Sequence, residues 1–326
     1  MDIIFHIGMG KTGTSSIQRA LQTGTKALAP HNAHYLGMWF DMIAPRFRGH
    51  EGLKDFCNIP PEAKEAAAGT FLSALADIER NSGAHTFIMS NEGFFGEGDG
   101  LKPFIDALRP HANIKLIAYM RPAREWLPSA FAQWGIRHKT YPGPIQPFGE
   151  RAKLLIGQYN GIRAWHQNFS DILVVRKHTK SIDVVADFSE VIGIPLPAGE
   201  RSLERSEPAE MVLQAMFNNR FPKPVMPERF RRVVLGSGHE VRSVEEMARL
   251  CFEHDGLDAI VDGRAPLFDY VRENIGIELD GKSDGDGRTV DKDALRDRIL
   301  DYLIEITFLQ AARIQKLENE IEDRKA

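Results

Sequence analysis

The stretch "FHIGMGKTGTSSIQRAL", residues 5–21, reads as the end of a strand, a glycine-rich turn and the start of a helix. The almost continuous apolar run over residues 3–7 is typical of a parallel strand that is buried on both faces. After the turn, hydroxyl residues precede apolar residues that recur at helical spacing from Ile17 onward. We therefore predict a buried strand followed by a helix that begins near Thr14.

A strand, a glycine turn and a helix start in this order form a site for an anion. The first N–H groups of a helix have no partner within the helix, and the macrodipole places positive charge there. Lys11 adds a full positive charge to this turn. The nucleotide P-loop, G-x-x-x-x-G-K-[ST], would end at Thr12, but it requires a glycine where Phe5 stands. The sequence therefore predicts phosphate binding by a loop of another kind.

The segment "KTGTSS" resembles the 5′-phosphosulfate loop of sulfotransferases that use 3′-phosphoadenosine 5′-phosphosulfate (PAPS), roughly K-[TS]-G-[TS]-[TS]. The resemblance implies that Lys11 stabilises the leaving phosphate while Thr14 and Ser15 hold its non-bridging oxygens. The residues expected to bind the cofactor at this loop are Gly10, Lys11, Thr12, Gly13, Thr14, Ser15 and Ser16.

A second motif lies at residues 114–134, "IKLIAYMRPAREWLPSAFAQW", where an apolar run ends at Arg121. In the sulfotransferase family an arginine at a strand end and a serine eight residues later bind the 3′-phosphate of PAPS, and Arg121 and Ser129 have that spacing. The guanidinium offers a planar pair of donors to phosphate oxygens, and a hydroxyl adds a directional donor. Pro122 departs from the family, in which the proline more often follows one residue later.

Two residues are candidates for the base that takes the proton of the acceptor. Glu92 follows the apolar run in "HTFIMSNEGFFGEGDG", and this stretch resembles bacterial sulfotransferase-like sequences with a serine and a glutamate after the strand. His50 is the rival because histidine titrates near neutral pH, although residues 40–61 are predicted to form a loop. His6, within the first strand, is interpreted as a core residue.

Apolar runs alternate with amphipathic stretches along the first half of the chain, at residues 3–7, 34–39, 86–89, 114–120 and 172–175. This pattern predicts an α/β fold: a P-loop-type parallel central sheet flanked by helices, with a largely helical C-terminal region. Ligands of such sheets bind outside the carboxyl ends of the strands. We therefore expect the glycine turn and Arg121 to lie at the same edge of the sheet.

We predict three regions: a sulfotransferase-like α/β domain at residues 1–277, a linker rich in glycine and aspartate at 278–291, and a C-terminal helix at 292–326. The helix carries apolar residues at heptad-like spacing, namely Leu300, Leu303, Ile314, Leu317 and Ile321. Such a helix either forms a homodimer through a coiled coil or packs its first half on the domain.

Composition excludes several classes of protein. The chain has 41 Lys and Arg against 45 Asp and Glu, so no overall basic field attracts nucleic acid. Two cysteines are too few for a disulfide framework or a zinc cluster. We identify no signal peptide and no apolar run near twenty residues, and we expect a cytoplasmic protein with no integral membrane segment.

The sequence thus predicts an enzyme that moves a sulfuryl group from PAPS, as co-substrate and without a metal, to a hydroxyl or amine. The acceptor is expected to be a carbohydrate, a lipid or a small metabolite. One alternative is a P-loop kinase of nucleotides or metabolites, which would need magnesium. The other is a nonenzymatic protein that binds PAPS or acts as a scaffold.

Overall fold

The five apolar runs are strands of one parallel sheet. A computed structural model describes residues 1–179, 181–197, 208–226, 243–281 and 290–323. The strands are β1 (Asp2–His6), β2 (Ala33–Gly37), β3 (Thr86–Ser90), β4 (Asn113–Met120) and β5 (Leu173–Lys177). The predicted parallel sheet flanked by helices, with a helical C-terminal region, is therefore confirmed.

Strand β1 lies at the centre of the sheet, whose strand order is β2-β3-β1-β4-β5. It pairs in parallel with β3 on one side and β4 on the other, so that His6 is level with Ser90 and Ile117. Strand β5 pairs with the far side of β4 and brings Lys177 level with Met120. The carboxyl ends of all five strands consequently lie along one edge of the sheet.

Helices follow most strands, and several short turns connect them. The α-helices are α1 (Thr14–Thr23), α2 (Thr25–Leu28), α3 (Gly49–Asn58), α4 (Pro61–Ser82), α5 (Gly98–Leu108), α6 (Ala123–Ala130), α7 (Phe148–Leu155), α8 (Gly161–Phe169), α9 (Val184–Ile192), α10 (Pro208–Asn218), α11 (Val244–Phe252), α12 (Leu257–Asp262), α13 (Ala265–Ile275) and α14 (Lys292–Asp323). Short 3-10 turns span Ala29–His31, Pro45–Phe47, Glu92–Gly96 and Ile156–Asn160, and a π-helical segment spans Phe131–Arg137.

The chain divides into two compact units. The first unit contains the sheet and consists of residues 1–126, 156–204 and 261–282; the second consists of residues 127–155, 205–260 and 283–326. The division predicted at residues 277 and 291 stays a prediction, and residues 282–289 of the predicted linker lie outside the described part of the chain.

Successive residues of β1 point to opposite faces of the sheet, as expected of a strand covered on both sides. Ile4 belongs to a buried cluster with residues of α1 and α9, whereas the ring of Phe5 stacks on Phe71 of α4 at 6.5 Å between centroids. Each fully buried phenylalanine contributes about 1.5–3 kcal/mol through the removal of apolar surface from water. The two apolar faces explain why the run over residues 3–7 has no polar alternation.

The predicted loop over residues 40–61 is wrong, because residues 49–58 form helix α3. Leu53, Phe56 and Cys57 recur at helical spacing and are buried on one face of this helix. Two glycines within the helix obscured that spacing. Gly52 is one of them, and a Cβ there would lie 2.5 Å from the carbonyl oxygen of Arg46.

The predicted C-terminal helix is present as α14. Near its start Leu295 and Ile299 are buried within the second unit. Farther along, the apolar side chains are exposed: Leu300, Leu303, Ile304, Phe308, Leu309, Ile314, Leu317 and Ile321. A homodimer through this helix stays a prediction.

Candidate functional site

The turn that follows β1 adopts a conformation suited to glycine at two positions. Gly13 caps the start of α1 with φ +84°, and Lys11 has φ +68°. A side chain larger than glycine in this left-handed region costs on the order of 1–3 kcal/mol, and such residues cluster at ligand-binding sites. Lys11 therefore holds a strained conformation that the surrounding structure must stabilise.

Gly13 is also required for packing. A Cβ at this position would lie 2.7 Å from Cγ1 of Val184, which begins helix α9. Real Cβ contacts are essentially never that short, so a larger residue would push α1 away from α9. The glycine thus allows the N-terminus of α1 to approach its neighbour closely.

Several donors at the start of α1 have no acceptor within the described part of the chain. The N–H groups of Ser16 and Ile17 donate to the carbonyl of Gly13 at 2.9 and 3.2 Å, whereas no backbone partner is found for those of Thr14 and Ser15. The Oγ1 of Thr14 is buried and hydrogen-bonds to no described residue. Buried polar groups are normally paired, so these donors fit an anion at the helix N-terminus.

His6 lies beneath this turn and is buried, as the sequence predicted. Its Nδ1 is 2.8 Å from Oγ of Ser90, but its Nε2 is buried with no partner among the described residues. A Cβ on Gly8 would lie 2.6 Å from that Nε2 and 3.3 Å from Oγ1 of Thr14. Burial lowers the pKa of His6 to about 3, so the imidazole is neutral and carries one N–H.

Two side chains fix the shape of the turn. Trp126, buried in the first turn of α6, donates from Nε1 to the carbonyl of Gly10 at 2.7 Å. Thr12, also buried, donates from Oγ1 to the carbonyl of Met9 at 2.5 Å. These two hydrogen bonds stabilise the turn, and the sequence analysis did not assign these roles to either side chain.

Arg121 follows β4 and is nearly buried, with 8% of its surface exposed. Its Nη2 is 3.2 Å from Oε2 of Glu125, and its Nε is buried without a partner among the described residues. The hydroxyl of Tyr159 donates to the Arg121 carbonyl at 2.5 Å, and the Tyr159 ring packs edge-on against Trp126. The same aromatic pair therefore supports both the turn after β1 and the arginine after β4.

A histidine that the sequence analysis missed lies beside Arg121. His178 follows β5 and donates its backbone N–H to the carbonyl of Met120 at 2.7 Å. Its Nδ1 is buried without a partner among the described residues. Burial, together with the charge of Arg121, lowers the pKa of His178 to about 4. The pairing of β4 with β5 creates this neighbourhood, and no local sequence pattern predicts it.

Glu92, the first candidate base, is connected to helix α1. Its Oε2 accepts a hydrogen bond from Nε2 of Gln18 at 3.3 Å, and the same Nε2 is 2.9 Å from the carbonyl of Ser90. Asn91 caps the short turn over Glu92–Gly96 and donates to the carbonyl of Met38 at 2.9 Å. Gln18 lies one turn after Thr14, so the carboxylate is close to the start of α1.

His50, the second candidate base, lies at the start of α3 and is exposed. Its ring packs edge-on against the indole of Trp39, with 5.2 Å between the centroids. Trp39 in turn lines the cleft described next. His50 is therefore connected to that cleft through an aromatic side chain.

An open cleft of about 540 Å³ lies beside the start of α1. One wall is a stripe of α1 formed by Ser15, Gln18, Arg19 and Gln22, and the other consists of residues 35–39 with Arg48. The pairing of β2 with β3 shifts register between Tyr35 and Gly37, so the strand is irregular where it forms this wall. A depression of about 650 Å³ between α4 and α5 contains none of the predicted site residues.

The predicted site residues thus fall into three groups. Residues 10–16, Arg121 and Glu92 all lie at the carboxyl edge of the sheet in the first unit. His50 lies on α3 in the same unit. Ser129 lies on α6 within the second unit, and its predicted pairing with Arg121 stays a prediction.

The described residues contain no group of three or more His, Cys, Asp or Glu side chains placed to hold a metal ion. Within the same ranges, no helix combines the length and the apolar character that crossing a lipid bilayer requires.

No model of a known protein family matches the sequence, and no curated protein matches it. Among solved structures, a sulfotransferase domain from the curacin biosynthetic pathway matches 76% of this chain and 95% of its own length, at 9% identity and a TM-score of 0.35. We assign the parallel α/β fold from the strand order and register described above.

Proposed function

We propose that this protein is a PAPS-dependent sulfotransferase that transfers a sulfuryl group to a hydroxyl or amine. The observation that carries the proposal is the start of α1, where a sulfotransferase-type sequence coincides with a buried Thr14 hydroxyl and with N–H groups that have no partner among the described residues. The adjacent strand β4 ends at Arg121 on the same edge. We infer that the two phosphate groups of one cofactor bind at these two positions.

In this proposal each group of the chain has a defined task. Residues 10–16 bind the 5′-phosphosulfate, and Arg121 with Ser129 binds the 3′-phosphate. The acceptor oxygen or nitrogen forms a bond to sulfur while the bond from sulfur to the 5′-phosphate oxygen breaks. Glu92 takes the proton of the acceptor, and Lys11 with the N–H groups of α1 stabilises the charge that the leaving phosphate gains.

The position of Glu92 supports its role as the base. Its carboxylate is hydrogen-bonded to Gln18, which lines the cleft one turn after Thr14. An acceptor in this cleft would lie against Gln18, the hydrogen-bond partner of that carboxylate, and Ser15 of the proposed phosphosulfate site. His50 does not line the described part of the cleft but packs on Trp39, which does, so we assign it to the acceptor side and keep it as the second candidate base.

Calorimetric titration with 3′-phosphoadenosine 5′-phosphate (PAP), the desulfated product, tests the cofactor, with ATP and magnesium as the comparison. We expect PAP to bind preferentially and Arg121→Ala to weaken that binding by tenfold or more. Arg109→Ala is the matched control, because this arginine precedes β4 at the opposite edge and pairs with Asp171. Preference for ATP, or no binding of PAP, would overturn the proposal.

The base is tested separately, by transfer of label from radiolabelled PAPS in an acceptor screen. We expect Glu92→Gln to lower turnover by about 10²–10⁴-fold, the usual contribution of general base catalysis, with unchanged affinity for PAP. His50→Gln should have a smaller effect. The opposite ranking would make His50 the base.

A further inference from the structure

The cleft beside α1 is lined by two arginines in a chain that is acidic overall. Among the described residues that line it, the charged ones are Arg19 and Arg48, whereas the whole chain has a net charge of −4. The Glu92 carboxylate lies one hydrogen bond away, on Gln18. The two guanidinium groups are therefore a local feature and do not reflect a generally basic surface.

Both arginines are available to a ligand. Arg19 is exposed and forms no ion pair with any described residue. Arg48 has a single weak partner, since its Nε is 3.9 Å from Oδ2 of Asp41 and 76% of its side chain is exposed. An ion pair of this length and exposure contributes little, so a ligand anion can compete with Asp41.

The remaining walls of the cleft indicate the rest of the ligand. Trp39 presents an indole, and Gln18 and Gln22 present amides that both donate and accept hydrogen bonds. Burial and the negative charge of Glu92 raise the pKa of Tyr35 to about 12, so its hydroxyl remains a donor at neutral pH. An aromatic wall beside several amides and hydroxyls is suited to a sugar ring.

We propose that the acceptor is a hydroxyl-bearing sugar of monosaccharide size that carries a carboxylate, which Arg19 and Arg48 bind. This inference rests on the proposed sulfotransferase function and specifies its substrate class. Guanidinium groups bind carboxylates through paired, charge-assisted hydrogen bonds, which an uncharged sugar cannot form. The sugar ring then packs on Trp39, with a hydroxyl directed to Glu92.

The test compares two probes that differ only in the carboxylate, p-nitrophenyl β-D-glucuronide and p-nitrophenyl β-D-glucoside. Binding to the PAP complex is measured by quenching of tryptophan fluorescence. We expect the glucuronide to bind about tenfold more tightly, and Arg19→Gln and Arg48→Gln each to reduce that preference about threefold. Arg80→Gln, at an exposed arginine that pairs with Asp77 on α4, is the control and should leave the preference unchanged.

Equal binding of the two probes, tighter binding of the glucoside or no binding of the glucuronide would overturn the inference. Affinity for PAP, measured by calorimetry in the same variants, separates this outcome from failure of the proposed function. Intact PAP binding without preference for the carboxylate rejects only the acceptor class. Absence of PAP binding rejects the sulfotransferase proposal itself.

Discussion

Replacement of Thr14 by valine should raise the stability of the free protein and weaken binding of PAP. The Oγ1 of Thr14 is buried without a described partner, and valine replaces it with a methyl group of similar shape. Removal of an unsatisfied buried hydroxyl should stabilise the fold by about 1 kcal/mol. If this hydroxyl binds the phosphate, its loss should cost about 1.5–3 kcal/mol of binding free energy, or roughly 10–150-fold in affinity.

These two effects predict that Thr14→Val has the higher melting temperature without PAP and the wild type has the higher melting temperature with PAP. PAP at a concentration 100 times its Kd adds about 2.7 kcal/mol to the wild type, but only about 0.4 kcal/mol to a variant that binds 100-fold more weakly. Without ligand, Thr14→Val should melt about 1–2 °C higher than the wild type; with ligand it should melt roughly 2 °C lower. Tryptophan fluorescence is a suitable signal because Trp39, Trp126 and Trp165 lie in the first unit.

Thr12→Val is the matched control. The Thr12 hydroxyl donates to the carbonyl of Met9, so its removal leaves a buried acceptor unpaired and should lower stability with or without ligand. A Thr14→Val protein that melts below the wild type without PAP, or that binds PAP with unchanged affinity, would refute the reasoning.

Three further predictions test other features of the molecule. Gly13→Ala should destabilise the protein by about 2–4 kcal/mol, because alanine disfavours the left-handed backbone and its Cβ would contact Val184. Gly83 has φ +72° and open space around it, so Gly83→Ala should destabilise by only about 1 kcal/mol. Val184→Ala should partly restore the stability that Gly13→Ala removes. Additive effects of Gly13→Ala and Val184→Ala in urea unfolding would contradict this. Because the pKa of His6 is about 3 in the fold and 6.5 in the unfolded chain, the free energy of unfolding should fall as pH drops below 6.5, by about 2 kcal/mol at pH 5, and His6→Gln should remove that loss. If the wild type and His6→Gln show the same pH dependence of the unfolding free energy, the assignment of this loss to His6 is wrong. If α14 pairs two copies, Leu317→Glu should halve the mass measured by light scattering, and a monomeric wild type would reject the homodimer.

The sheet was predictable because its strands are buried on both faces, which leaves a continuous apolar run in the sequence. The start of α1 at Thr14 was predictable for a similar reason, since glycine and hydroxyl residues mark a helix N-terminus locally. Helix α3 was missed because two glycines and flanking prolines outweighed the spacing of its buried residues. Local sequence patterns therefore predict an element correctly where one property, such as apolar character, dominates. They fail where glycines and prolines oppose the helical spacing of buried residues, as in α3.

The surroundings of the candidate site could be predicted only in part. Arg121 and Glu92 stand at strand ends, which the sequence locates. His178 lies at the site because β5 pairs with β4, and Trp126 because the first turn of α6 packs on the turn after β1. Both arrangements depend on contacts between residues that are distant in the chain. Gln18 likewise contacts Glu92 across 74 positions. Such neighbours follow from topology, which residue patterns do not specify.

The central position of β1 has a consequence for synthesis of the protein. This strand is made before the other four strands of the sheet, yet its partners β3 and β4 begin at Thr86 and Asn113. Asp2 is level with Thr86, so at translation rates of about 5–20 residues per second the apolar strand waits roughly 4–17 s for its first neighbour. Throughout that interval its backbone and apolar side chains are open to other nascent chains and to chaperones. The central strand of the described sheet is thus the one of the five that stays unpaired longest while the protein is being made.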